Sequence, residues 1–260
     1  MKIGIQLYSC RDKIMDKDGL CKTLETLAGM GYAGVEFVSQ GAYGVMDPEK
    51  LRKQLAACGL EAIGVHMHLP LQRWLADDLE DVLNYARKAG LHTFTLPWLA
   101  EEDRTVQNFE RIIQKIPDWI RLCRRYGMEF LWHNHDFEMA AYGEGILLEA
   151  IADAAPGMKI ELDTFWTHFT GKDPCGMMDD LGDRLGLVHV KDYHTLAPFY
   201  EMKFDAVGTG IMDNASVIRK AVRMNQEWII VEQDNSPVDT LESARISIEG
   251  VRRLMEQGVQ

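Results

Sequence analysis

Four segments of this chain each end an apolar run on a side chain that can hold a metal ion: FLWHNHDFE at His133, IELDTFW at Asp163, LVHVKDY at His189 and IIVEQD at Glu232. Together they offer two imidazole nitrogens and two carboxylates. That mixed nitrogen and oxygen set suits Mn²⁺, Zn²⁺, Co²⁺ or Fe²⁺, with the hard cation Mg²⁺ the remaining candidate for a carboxylate-containing site. Taken singly, a histidine ending a strand is more often a hydrogen-bonded packing residue, and an aspartate there often caps the next helix. Four such residues ending four successive strands are harder to explain that way, because charged groups are seldom buried without partners. Other polar residues end apolar runs as well: Gln6, Glu36, His66 and His68, Asn134 and His135, and Lys191. His133 and His135 share one face of a strand, so the period of two does not separate ligand from substrate contact, and His66 and His68 share that ambiguity. Lys191 has two readings: its ammonium polarises a carbonyl or holds a sugar oxygen, or it pairs with Asp163 or Glu232.

Such residues meet only if the strands that carry them lie side by side. One pattern recurs along the chain: an amphipathic helix, a glycine, a few residues and a short apolar strand. Gly31, Gly59, Gly90, Gly127 and Gly186 all fit the position past a helix end, where a positive φ costs glycine little. The first three intervals are 28, 31 and 37 residues, the length of one strand and helix unit with its return. Strands are predicted at 2–7, 34–37, 62–66, 93–96, 129–134, 159–163, 186–190 and 228–232. Helices are predicted at 19–30, 48–57, 79–89, 106–126, 214–224 and 241–257, with Asp47-Pro48 and Asp173-Pro174 as capped helix starts. Eight units make a single (β/α)8 TIM barrel, one domain over residues 1–260, with its active site at the C-terminal ends of the strands. The rival doubly wound sheet would carry a GxGxxG after its first strand, and none is there.

Composition narrows the partners. The chain has 260 residues and a formal net charge of -12, which repels nucleic-acid phosphates. It has no apolar stretch near the roughly 20 residues of a membrane span and no signal-peptide pattern at its start. Five scattered cysteines without a CxxC pair fit a reducing cytoplasm. The expected partner is a small molecule, with neither nucleic acid nor membrane.

The residues IGIQLYSCRD, GYAGVEF, WHNHDFE, ELDTFW, HVKD, VGTGIMD and VEQD, spread over nearly the whole chain, resemble the sugar phosphate isomerase/epimerase family of xylose isomerase-like TIM barrels. The resemblance implies one divalent metal ion held by His133, Asp163, His189 and Glu232, a small carbohydrate or keto-sugar substrate, and a homo-oligomer, since dimers and tetramers are common among relatives. It implies proton abstraction α to a carbonyl through a metal-stabilised enediolate. One position departs: ketohexose epimerases of this superfamily carry glutamate where His133 stands, so their pair of metal-bound glutamates is not matched. Relatives with a histidine-rich strand-5 motif resemble inosose dehydratases and enzymes of 3-keto sugars, which makes β-elimination the competing reaction and a non-catalytic sugar-binding barrel the third reading. Glu232 is the first choice of base, with Glu138 and His135 behind it and Lys191 as electrophile. Glu36, His66, His68, Trp98 and Trp166 are the expected substrate contacts, with Phe165 beside Trp166 as a further rim aromatic. The glycines of VGTGIMD could meet a phosphate, a weak signal without a cationic cluster.

Overall fold

A computed structural model describes residues 1–39, 43–198 and 201–257. Eight parallel strands, β1 (Lys2–Gln6), β2 (Gly34–Val38), β3 (Glu61–His66), β4 (Thr93–Leu96), β5 (Glu129–His133), β6 (Lys159–Asp163), β7 (Leu185–Val190) and β8 (Trp228–Val231), close into a barrel. Each strand pairs with its neighbours in sequence, and β1 pairs with β8 to complete the ring. This is the (β/α)8 barrel expected from the repeat. Its strands read as nearly continuous apolar runs because helices cover their outer face while side chains fill the interior.

The helices start and stop where local chemistry dictates. Asp47 accepts from the Glu49 and Lys50 amides before the helix Pro48–Cys58, and Asp173 does the same for the Cys175 and Gly176 amides before Pro174–Leu181. Asp213 caps Asn214–Arg223 through the Ser216 amide. Gly31, Gly59, Gly90 and Gly127 take positive φ past their helices. Gly186 does not: it lies inside β7. A Cβ there would sit 3.1 Å from Lys159 Cβ and 3.3 Å from Leu131 Cδ2, so its glycine serves close packing of neighbouring strands. The connection between β5 and β6 also carries elements that periodicity did not anticipate, a two-residue hairpin pairing Ala141–Tyr142 with Gly145–Ile146 and the short helix Leu147–Ala152.

The main core lies between the strands and the outer helices. Inside the barrel, Ile63, Leu131, Leu187, Trp228 and Ile230 form a separate apolar plug, and above it the interior turns polar. Register makes that change abrupt: His133 lies beside Glu161, and Asp163 beside His189. Polar side chains from adjacent strands are thereby brought side by side at this end of the barrel. No helix among the described residues is long and apolar enough to cross a membrane.

Candidate metal centre

At the C-terminal end of the barrel, His133, Asp163, His189 and Glu232 are all buried, and one ligand-capable atom from each lies within 4.8 Å of the others. Asp163 divides its carboxylate. Oδ1 accepts from the Trp166 amide at 3.0 Å and starts the helix Thr164–Phe169, while Oδ2 turns inward, 4.0 Å from His133 Nε2. The aspartate is thus a helix cap and a member of the cluster at once. Asn134 braces it: its side-chain oxygen accepts from the Asp163 amide at 2.9 Å, tying the ends of β5 and β6 together. His189 Nδ1 lies 2.9 Å from Glu232 Oε2.

One level deeper sits a layer built from Gln6, Glu36, His66 and Glu161. Gln6 Nε2 donates to Glu36 Oε2 at 2.9 Å. His66 Nε2 is 2.9 Å from Glu161 Oε2 and 3.3 Å from Glu36 Oε2. His189 Nε2 turns down into this layer, 2.9 Å from Glu36 Oε2 and in contact with Glu161 Oε1. His66, His133, Glu161 and His189 form a second convergent group. Each group has two members on the open cavity, His133 with Glu232 in the first and His133 with His66 in the second, so the first brings a carboxylate to that surface and the second a further imidazole.

Lys191 is buried and surrounded by carboxylates: Nζ lies 3.2 Å from Asp163, 3.1 Å from Glu232 and 3.0 Å from both oxygens of Asp234. Of the two readings of this lysine, the structure displays the ion pair. Burial alone would depress its pKa, but Asp163, Asp234 and Glu232 outweigh that and raise it. Burial acts on Glu232 in the opposite sense, and Lys191 with His189 outweighs it, holding that carboxyl well below the ordinary range. His133 is held well below the usual imidazole value by burial and by the other histidines. It is therefore a neutral donor at physiological pH, and its Nδ1 has no hydrogen-bond partner among the described residues. A buried neutral imidazole with Nδ1 unpartnered and Nε2 4.0 Å from the Asp163 carboxylate, in a set that also holds His189 and Glu232, fits a borderline divalent cation.

Above the cluster opens a cavity of about 330 Å³, lined by Tyr8, His66, His68, Pro97, Trp98, His133, His135, Trp166, Phe204, Glu232, Asp234 and Asn235, within the size range of small-molecule sites. Of the expected substrate contacts, His66, His68, Trp98 and Trp166 face this space. His135 lines it too, its ring 4.6 Å from Trp98 and 5.6 Å from Trp166, and burial keeps it neutral. His133 ends β5 and joins the convergent set, whereas His135 lies beyond the strand, where the period of two no longer applies. Three residues sit elsewhere. Glu36 belongs to the deeper layer. Phe165 packs beneath the rim against Tyr193 and Phe204. Glu138 is buried outside the cavity, accepting from Trp132 Nε1 at 2.9 Å and the His135 amide at 2.8 Å, so its carboxylate shapes the loop that carries His135. The VGTGIMD loop is committed internally as well: the Gly208, Gly210 and Met212 amides all donate to the buried Asp192 carboxylate, at 2.9–3.0 Å. The amides that could have met a phosphate are occupied.

Sequence reasoning passed over Glu161, Asp234, Tyr8, Phe204 and Asn235. For Glu161 a signal existed: it precedes Asp163 by two residues within β6, the spacing that returns a strand side chain to the same face.

A family model for the xylose isomerase-like TIM barrel matches residues 24–257, and the chain belongs to that family. It is 25% identical over 252 residues to an inosose dehydratase of Geobacillus kaustophilus (strain HTA426), a match covering 83% of this chain and 80% of that protein. Its fold is similar to that of a sugar phosphate isomerase/epimerase from Parabacteroides distasonis ATCC 8503, with a TM-score of 0.76, 18% identity, and coverage of 100% of this chain and 96% of the other. The IOLI protein, solved with a bound zinc atom, is similar with a TM-score of 0.76 at 11% identity, covering 99% of each chain.

Proposed function

We propose that this protein is a divalent-metal-dependent isomerase or epimerase of a small keto sugar or carbohydrate, and that His133, Asp163, His189 and Glu232 hold the metal. The observation that carries this reading is the convergence of those four side chains, two of which, His133 and Glu232, line a sugar-sized cavity. A cation bound there would act as a Lewis acid, polarising the substrate carbonyl and stabilising the negative charge of an enediolate.

The chain's own residues supply the rest. Tyr8, Trp98, Trp166 and Phe204 give the cavity aromatic walls on which the apolar faces of a sugar ring can pack. His68 and His135 face the same space as neutral imidazoles, each able to donate or accept a hydrogen bond to a hydroxyl. Glu232 is the base: ionised and facing the cavity, it accepts the proton α to the carbonyl. Returning that proton to the former carbonyl carbon, while the hydroxyl proton passes from one enediolate oxygen to the other, yields the isomer; reprotonating the original carbon on its other face yields the epimer. Lys191, paired behind Asp163 and Glu232, balances their charge and holds both carboxylates in place.

Similarity to an inosose dehydratase favours a second reading, in which the same proton abstraction is followed by loss of a β-oxygen. Elemental mass spectrometry on protein purified without chelator, beside an Asp163→Ala/His189→Ala double variant, tests the metal reading. About one transition metal per chain is expected, absent from the folded variant. No metal after incubation with Mn²⁺, Zn²⁺ or Co²⁺ overturns it. With the metal established, NMR of candidate keto sugars in D₂O separates the reactions: deuterium α to the carbonyl without loss of water marks isomerisation, and a new enone marks elimination.

A further inference from the structure

Glu161 is fully buried, lies off the cavity and touches two imidazoles, one with each oxygen. Oε1 meets Nε2 of His189, and Oε2 lies 2.9 Å from Nε2 of His66. Its height in the barrel comes from an irregularity. The register between β6 and β7 shifts between Ile160 and Glu161, so that Glu161 pairs with Leu187 rather than Gly186. The shift sets Asp163 level with His189 and Glu161 just beneath it.

The consequence concerns which nitrogen of His189 faces up. Nδ1 looks toward Glu232 and the level of Asp163 and His133, while Nε2 looks down at Glu161 and Glu36. Each nitrogen thus faces a carboxylate, but a cation bound at the level of Asp163 would displace the Nδ1 proton and take that lone pair, leaving Nε2–H as the donor to the carboxylates below. Glu36 shares this work: its Oε2 is the hydrogen-bond partner of the same Nε2 at 2.9 Å, but it also accepts from Gln6 and lies 3.3 Å from His66 Nε2, whereas Glu161 gives each imidazole an oxygen of its own. We propose that Glu161 is a positioning residue for the metal site: by gripping His189 and His66 together, it locks the Nε2–H tautomer and ring direction of His189 and so sets the affinity and geometry of the bound cation. This rests on the metal reading given above and extends it to a residue that touches neither substrate nor cation.

The test is a Co²⁺ titration, followed by chelator competition and by the visible spectrum, of wild type, Glu161→Gln and Asp163→Asn. The isosteric glutamine keeps one accepting oxygen and turns an NH₂ toward the other imidazole, so that ring must rotate or change tautomer. Co²⁺ affinity should fall about 10- to 100-fold, with a changed visible spectrum, while far-UV circular dichroism stays that of the wild type. Wild-type affinity and spectrum in the folded glutamine variant would overturn the positioning role; if Asp163→Asn abolishes binding in the same experiment, the metal reading survives. Absence of Co²⁺ binding by the wild type overturns both. Should Glu161→Gln not fold, ¹⁵N-histidine NMR of the zinc-loaded wild type decides instead. A protected Nε2–H on His189 is expected, and an Nδ1–H tautomer refutes the proposal.

Discussion

Replacing Lys191 by methionine would keep the apolar stem of the side chain and remove, among the described residues, the one ammonium within hydrogen-bonding reach of Asp163, Glu232 and Asp234. Each of these carboxylates lies 3.0–3.2 Å from Nζ. At that separation and an effective dielectric of about 20, each pair attracts by on the order of 5 kcal/mol. Desolvation of the buried ions offsets most of that sum, and removing one partner of such a group costs about 3–5 kcal/mol, because the remaining charges are left uncompensated. At roughly 2–4 °C per kcal/mol for a chain of this size, the metal-free variant should melt about 6–20 °C below wild type. A divalent cation held by the set that includes Asp163 and Glu232 would replace the missing charge, and binding at 100 times its Kd would add about 2.7 kcal/mol. Freed from competition with the ammonium, the variant should gain more from the cation than wild type does, and the gap should narrow. Thermal unfolding by circular dichroism, with chelator and then with Mn²⁺ or Zn²⁺, measures both quantities. A metal-free variant melting within about 2 °C of wild type, or a gap that the cation leaves unchanged, would refute this account of the charge balance.

Two further perturbations test the frame around the site. Burial pushes the Glu138 carboxyl up to about 8 from an ordinary value of 4.5, so the folded state holds its proton more tightly than the unfolded chain. The stability this contributes is fully present below about pH 4.5 and is lost as pH rises through about 8. Urea melts of wild type and Glu138→Gln from pH 5 to pH 9 should show their difference moving a few kcal/mol in favour of the glutamine variant, and a constant difference would contradict the assignment. Gly250 lets the helix Thr240–Gln257 touch the loop before the helix Asn214–Arg223: a Cβ there would fall 1.9 Å from the Val207 carbonyl oxygen. Gly250→Ala should therefore lower stability by about 1–3 kcal/mol, read as a lower urea midpoint, and an unchanged midpoint would show that the loop yields freely.

Much of the site was legible because a barrel strand has only two sides. An apolar run ending in histidine, aspartate or glutamate says that the last side chain faces the interior at the open end, and His133, Asp163, His189 and Glu232 are brought together on that logic. The same rule stops at the strand terminus. His135 keeps the spacing of His133 but lies past the last residue of β5, on a loop whose direction is set by the buried Glu138 carboxylate rather than by the pleat. Gly186 misled for a related reason: a glycine after a helical run reads as a helix end, but here the helix stops earlier and close strand packing requires the glycine. Asp192 was unreadable as the partner of the VGTGIMD amides, since the contact joins segments 16 to 20 residues apart through a loop of no regular period.

Local pattern by itself determined the eight strands, the capped helices, the barrel they close into and the acidic, metal-capable character of its open end. These depend on side-chain periodicity, glycine conformation and capping, all of which act within a few residues. Only the tertiary structure decided which polar residues share a level, because that follows from strand register and from how the barrel closes. It set Glu161 beneath His189, drew Lys191 onto three carboxylates, and turned Nε2 of a neutral His133 toward Asp163. A strand sequence tells which way a side chain points, but what it meets there is decided by neighbouring strands far away along the chain.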